Sequence, residues 1–192
     1  PYLLTDLVPA CQHELKNLRI YFREDTTDNL LNMLKNGELD VVILALPIAQ
    51  RGFESEVVGK DHFFGAGDPK LMAKFSAEQD YQCLPEHSVF LLSNEHCLTK
   101  HALSACKLAD TSRINPFSAS SLATLVQMTA FHQGFTFLPE MAIKKGFSKA
   151  EGLTIEKLSG NVYREIALMR RSTSAVSPIY QKLSAILVDL LK

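Results

Sequence analysis

Gly37-Glu38-Leu39-Asp40-Val41-Val42-Ile43-Leu44-Ala45-Leu46 is the stretch that decides the fold. Its glycine is placed to stop a helix, and the run from Leu39 is nearly all apolar with one charge near its start. Such a run suits a parallel strand covered on both faces. Just upstream, Thr26 or Thr27 can cap a helix over Asp28–Lys35, closed by Gly37. Earlier still, Leu18 to Glu24 alternates Leu18, Ile20 and Phe22 with Arg19, Tyr21 and Arg23, as a strand would. Strand, helix, strand within about thirty residues is a βαβ unit. Leu3, Leu4, Leu7, Val8 and Cys11 recur at helical spacing, so residues 2–15 read as a helix before it. The fold class is α/β.

Further along, residues 47–68 hold Pro47, Gly52, Gly59, Gly65 and Gly67 and read as loop and short strands. Residues 75–84 read as a poor helix or a long loop. Ser88–Leu92 and Arg113–Phe117 read as strands, and Ser120 and Ser121 cap a helix running to about Gln133. Gly134–Pro139 is a strand and turn, two more strands follow at 153–158 and 165–170, and Ser177–Leu191 is an amphipathic helix. Two α/β halves joined by two crossings are expected: one lobe from residues 1–60 plus 169–192, the other from 61–168.

The 192 residues carry a net charge of −1, which argues against this chain itself coating nucleic acid or anionic membrane. No apolar run approaches the roughly 18 residues of a membrane span, and no secretory signal opens the sequence. Four cysteines without such a signal fit a reducing, cytoplasmic setting, where thiols are free, catalytic or sensing. The chain opens on Pro1, so a longer parent protein is expected.

Two of those cysteines bound a second informative stretch, Glu95-His96-Cys97-Leu98-Thr99-Lys100-His101-Ala102-Leu103-Ser104-Ala105-Cys106. From Leu98 it reads as helix, with recurring Ala and Leu and no Gly or Pro. Nine helical residues rise ~13.5 Å and turn about 900°, so the thiols would point in opposite directions. A disulfide needs Cα atoms within about 7 Å. Two unrelated half-buried thiols are one reading. The other is a redox pair whose joining requires the helix to open. His96, Cys97, His101 and Cys106 are also metal-capable, but helical geometry splays them apart, and no metal or cofactor is expected.

The string His96-Cys97-Leu98 followed by Cys106 resembles the sensor segment of peroxide-sensing members of the LysR-type transcription regulators. Gly37-Glu38-Leu39-Asp40-Val41-Val42-Ile43 matches that family's G-x-L-D-x-x-I strand. Gly134-Phe135-Thr136-Phe137-Leu138-Pro139 resembles its G-x-G-I-x-x-L-P turn, with His132 where the first glycine stands. The resemblance implies two Rossmann-like subdomains with a cleft between them, as in periplasmic binding proteins. It also implies a winged-helix DNA-binding domain upstream that this chain lacks.

By the same resemblance, Cys97 is the peroxidatic cysteine and Cys106 the resolving one, and the two form the disulfide. Thr27, His96 and Arg164 bind peroxide. Glu95 departs from the family's usual glycine and is a candidate for tuning the thiol in either direction. Implied partners are hydrogen peroxide, further copies of the chain (a homodimer, a tetramer in the full-length protein), a thiol reductant such as glutaredoxin or glutathione, and RNA polymerase. DNA would be reached only through the missing domain. A sensor consumed once per reset is expected rather than an enzyme, with a thiol peroxidase as the enzyme rival. The alternative within the family is a small organic effector in the cleft, held by Ser120 and Ser121 at a helix start.

Overall fold

The computed structural model describes residues 2–48, 51–78, 80–93, 97–106, 110–147 and 152–192, and the side chains of Glu78, Cys97, Ala105 and Cys106 lie outside that description. In chain order the elements are α1 (Leu4–Glu14), α2 (Thr27–Asn36), β1 (Val42–Leu46), β2 (Phe53–Gly67), α3 (Pro69–Glu78), β3 (Val89–Leu92), α4 (Cys97–Cys106), β4 (Ile114–Ala119), α5 (Leu122–Phe131), β5 (Phe135–Pro139), α6 (Glu140–Lys144), β6 (Thr154–Lys157), β7 (Tyr163–Arg171) and α7 (Pro178–Leu190). Short 3₁₀ turns stand at Tyr81–Cys83 and Thr111–Arg113. The chain divides into two compact units, Pro1–Asp61 with Arg164–Lys192, and His62–Tyr163.

In the first unit, α2 is fixed at both ends. The Thr26 hydroxyl accepts the Asn29 N–H, and Gly37 closes the helix in the left-handed region at φ 81°. Arg171 Nη1 donates to the carbonyls of Leu34, in the last turn, and of Leu39, just beyond the helix. Leu30, Leu31 and Leu34 pack on Val42 and Leu44 of β1 and Met169 of β7. Burying each such leucine contributes about 1.5–3 kcal/mol. Ser177 caps α7 through the Tyr180 N–H.

Two expectations for this unit need correction. β1 was expected to be parallel, yet it pairs antiparallel with β7, in the register Val42↔Met169 to Leu46↔Glu165. A strand covered on both faces gives a continuous apolar run whichever way its neighbour points, so the run encodes burial and not direction. Leu18–Glu24 is not a strand. It has no ladder partner among the described residues, and Leu18, Tyr21 and Phe22 are exposed. Alternation alone makes no sheet without a neighbour to share hydrogen bonds.

The second unit is built on β5. It runs antiparallel to the end of β2, from Phe63↔Pro139 to Gly67↔Phe135, and parallel to β3, which is itself parallel to β4. β6 lies antiparallel along β2 over Phe64–Gly67. The core is aromatic: Phe135 lies 5.1 Å from both Phe75 and Phe137, and Tyr81 lies 5.6 Å from Phe137, centroid to centroid.

Residues 53–67, expected as loop with short strands, form one fifteen-residue strand. Its glycines are packing sites, not breaks. A Cβ on Gly59 would meet Leu191 Cβ at 2.5 Å, and one on Gly67 would meet the Gly134 carbonyl at 2.7 Å. The stretch 75–84, expected as a poor helix or a long loop, holds the end of α3, which starts earlier, and the 3₁₀ turn Tyr81–Cys83. Asp68 Oδ1 accepts the Lys70 and Leu71 N–H groups, and Pro69 takes the first helical position, where its missing N–H costs nothing.

Candidate functional site

Cys97 and Cys106 are the first and last residues of α4. In this continuous helix their Cα atoms stand ~13.5 Å apart along the axis, well beyond the reach of a disulfide. Nine residues of separation become a bond only if α4 opens. Cys97 stands in the first turn of α4. Glu95 and His96 lie outside the described residues.

α4 is seated against the end of β3. Leu98 and Ala102, four apart, bury one stripe, and the Thr99 hydroxyl donates to the Leu92 carbonyl at 2.8 Å where β3 ends. Ten residues are too few for a helix to persist alone in water, so these tertiary contacts carry it. Thr99 was not among the residues picked from sequence, and a polar residue on a helix gives no local signal of such a bond.

Thr27 opens α2 in the first unit and is half-buried. The turn that presents it is tied down by Asp25. Oδ1 of Asp25 accepts the Thr26 N–H at 2.8 Å and Asn29 Nδ2 at 2.7 Å, and Arg23 reaches its Oδ2. These bonds, that from Asn29 foremost, hold the Asp25 carboxyl below its usual range.

Arg164 is on β7 at the edge of the first unit, opposite Asp61 of β2. Its Nε and Nη2 donate at 3.0 and 2.8 Å to a single oxygen, Oδ2 of Asp61. The Arg164 side chain is 8% exposed and that of Asp61 0%. Breaking a buried pair by removing one partner typically costs about 3–5 kcal/mol. Asp61 too escaped the reading of the sequence, because its partner lies 103 residues away. The visible signal was a carboxylate in β2 that no local turn or cap required.

The other two cysteines stand on other elements. Cys11 is buried on α1, and burial pushes its thiol up. Cys83 is half-buried in the 3₁₀ turn. The Ser121 hydroxyl accepts the Thr124 N–H at 3.1 Å, so it serves as the cap of α5. Among the described residues no three His, Cys, Asp or Glu side chains gather as a metal site. Among them, too, no helix is long and apolar enough to cross a membrane.

Comparison with known proteins agrees with the motifs. The chain matches the LysR substrate binding domain over residues 1–192. It is similar to the HTH-type transcriptional regulator EstR of Acinetobacter baylyi, at 31% identity over all of this chain and 62% of that protein. It is similar to the DNA-binding transcriptional dual regulator OxyR of Escherichia coli, at 29% identity over 96% of this chain and 60% of that protein. It therefore spans less than two thirds of the length of these relatives. The reduced form of the regulatory domain of OxyR2 from Vibrio vulnificus superposes with a TM-score of 0.92 at 46% identity, covering 100% of this chain and 90% of that one. The mixed α/β architecture is the periplasmic-binding-protein-like one expected from the sequence, and the chain belongs to the family of LysR substrate-binding domains.

Proposed function

We propose that the chain is the hydrogen-peroxide-sensing regulatory domain of a LysR-type transcription regulator. The observation that carries this reading is α4, a ten-residue helix bounded by two cysteines it keeps apart. Its 46% identity to the OxyR2 regulatory domain supports the same conclusion.

In the proposed cycle the Cys97 thiolate attacks one oxygen of hydrogen peroxide. The O–O bond breaks, hydroxide leaves, and Cys97 becomes a sulfenic acid. α4 then opens, and the Cys106 thiol displaces the sulfenic hydroxyl as water, giving the disulfide. One peroxide is reduced and two thiols are oxidised. Thr27, His96 and Arg164 bind the peroxide, and Glu95 beside the His-Cys pair sets how readily the thiol ionises. The refolded segment alters a homodimer, and a tetramer in the full-length protein. Through it the DNA-binding domain and RNA polymerase respond in the cytoplasm. A thiol reductant such as glutaredoxin or glutathione restores the dithiol.

Mass spectrometry after brief peroxide exposure tests the cycle. The expected product is a Cys97–Cys106 bridge, with the dose for half-oxidation shifted in Glu95→Gly. A bridge to Cys11 or Cys83 instead would overturn the mechanism, and identical dose curves would remove Glu95 from it.

A further inference from the structure

We propose that the outer face of α5, anchored by Phe131, is a self-association surface whose occupant is a second copy of this chain. A homodimer belongs to the proposed function, so the inference rests on that reading and gives the homodimer a place on the second unit.

Charge is missing from one long stretch. From Ile114 to Pro139 the sequence holds no Asp, Glu, Lys or Arg, in a chain that is 21% charged. Burial accounts for part of this. β5 is buried along its whole length, and Leu122, Leu125, Val126 and Thr129 form the buried side of α5, which lies against β3, β4 and β5. The other side of α5 looks outward. Ala123, Gln127 and Phe131 recur every four residues on one face, and all three are exposed. Phe131 is 77% exposed, and Phe117 on β4 is 40% exposed. A surface helix ordinarily carries charged side chains on its outer face, and a helix without them is ordinarily covered.

Phe131 is also set in place. Its ring meets His132 edge-on at 5.0 Å, and His132 stacks on the buried Phe90 at 5.4 Å. Phe117 lies 6.5 Å from the same Phe90 ring. An aromatic side chain held in this way has little freedom left to lose on binding, so it suits the centre of an interface.

Charge also selects the occupant. A neutral face offers nothing to a nucleic acid, an anionic membrane or a strongly charged protein. It meets a copy of its own chain without repulsion, and the whole chain carries a net charge of only −1. Twofold pairs of identical chains are the commonest soluble assembly. An added strand is the rival way onto this unit, and β4 is the last strand of the sheet path. Pro116 there has no N–H, and the Phe117 N–H donates to Asn115 Oδ1 at 2.9 Å, so β4 is a poor template for pairing. The helix face is what remains. A helix ~15 Å long covers much less than the ~800 Å² that each partner buries in a standard interface, so the isolated chain pairs weakly.

Sedimentation of the reduced 192-residue chain, from low to high micromolar concentration, tests this. The chain passes reversibly from monomer to dimer. Phe131→Glu buries a carboxylate in the contact and raises Kd by about 30-fold or more. Gln127→Glu, one turn away on the same face, weakens pairing in the same direction. Val176→Glu, at a half-exposed apolar residue of the first unit, leaves it unchanged. A chain that stays monomeric throughout overturns the inference, as does a Phe131→Glu variant that pairs like wild type. Equal weakening by Val176→Glu overturns it too, because added charge alone would then explain the loss. If Phe131→Glu does not fold, Gln127→Glu carries the test, and its wild-type pairing overturns the assignment. Mass spectrometry reads the Cys97–Cys106 bridge separately. A monomeric chain that still forms the bridge sinks the α5 surface and leaves the peroxide reading standing, and a dimer that never forms it does the reverse.

Discussion

Helices α2 and α4 are the same length, ten residues each, and each begins on a residue proposed for the peroxide site, Thr27 and Cys97. They are held very differently. α2 has a side-chain cap, a left-handed glycine stop, an arginine on its terminal carbonyls and three buried leucines against two strands. On α4, Leu98, Thr99 and Ala102 are buried and the Thr99 hydroxyl bonds to the end of β3. The lesson is a division of labour. One helix presents its hydroxyl from a fixed frame, and the proposed cycle asks the other, with a thiol at each end, to open. A sensor needs both, because a switch whose supports also moved would have no defined end states.

The contrast breaks most visibly if α2 is undermined. Leu34 is fully buried between β1 and β7, so Leu34→Ala leaves a cavity and lowers stability by about 2–5 kcal/mol. Urea denaturation measures this as a lower midpoint at unchanged slope. A loss below about 1 kcal/mol would show that α2 is no more rigidly seated than α4.

Sharpening the other side of the contrast calls for a gentler change. Thr99→Val keeps the shape of the side chain and deletes its bond to the Leu92 carbonyl. A net loss of about 1 kcal/mol there favours the open form of α4 roughly 5-fold. Disulfide formation should accelerate by about that factor, while the first step, trapped as sulfenic acid by a dimedone probe, keeps its rate. If both steps are unchanged, the hydroxyl does not restrain the helix. If both change together, Thr99 acts on the thiol itself and the separation of the two steps fails.

What sequence could reveal of this arrangement follows the range of each signal. Helix ends announce themselves within four residues, so Thr26, Gly37, Ser121 and Ser177 are legible at once. The helix from Leu98 was legible from its Ala and Leu and the absence of Gly and Pro, though not that it closes at Cys106. Strand direction was not, since Val42–Leu46 looks alike beside a parallel or an antiparallel partner. Gly59 and Gly67 misled because close packing against Leu191 and Gly134 uses the residue that a turn also uses. Asp61 and Thr99 were invisible because each is defined by a partner on another element. Local chemistry can be read along the chain, whereas pairings that close long loops emerge only in the fold.

The finest comparison concerns how the start of α2 responds to acid. Asp25 is more acidic than an ordinary aspartate, chiefly because Asn29 and the Thr26 N–H bond to its ionised form. A carboxyl whose pKa is lowered by folding contributes stability that is complete above the unfolded value, about 3.9. That contribution fades as pH falls through the lower folded value. The Thr26 amide should therefore titrate by NMR with a midpoint below about 3.9, and Asp25→Ala should abolish that titration while leaving the rest of α2 in place. The carboxylate is half-buried at the surface and its bonds stay within this turn, so the readout must be local. A midpoint at or above the ordinary value would mean that the turn before Thr27 is not held by these bonds. The frame assigned to α2 would then rest on Leu30, Leu31 and Leu34 alone, a support closer in kind to that of α4.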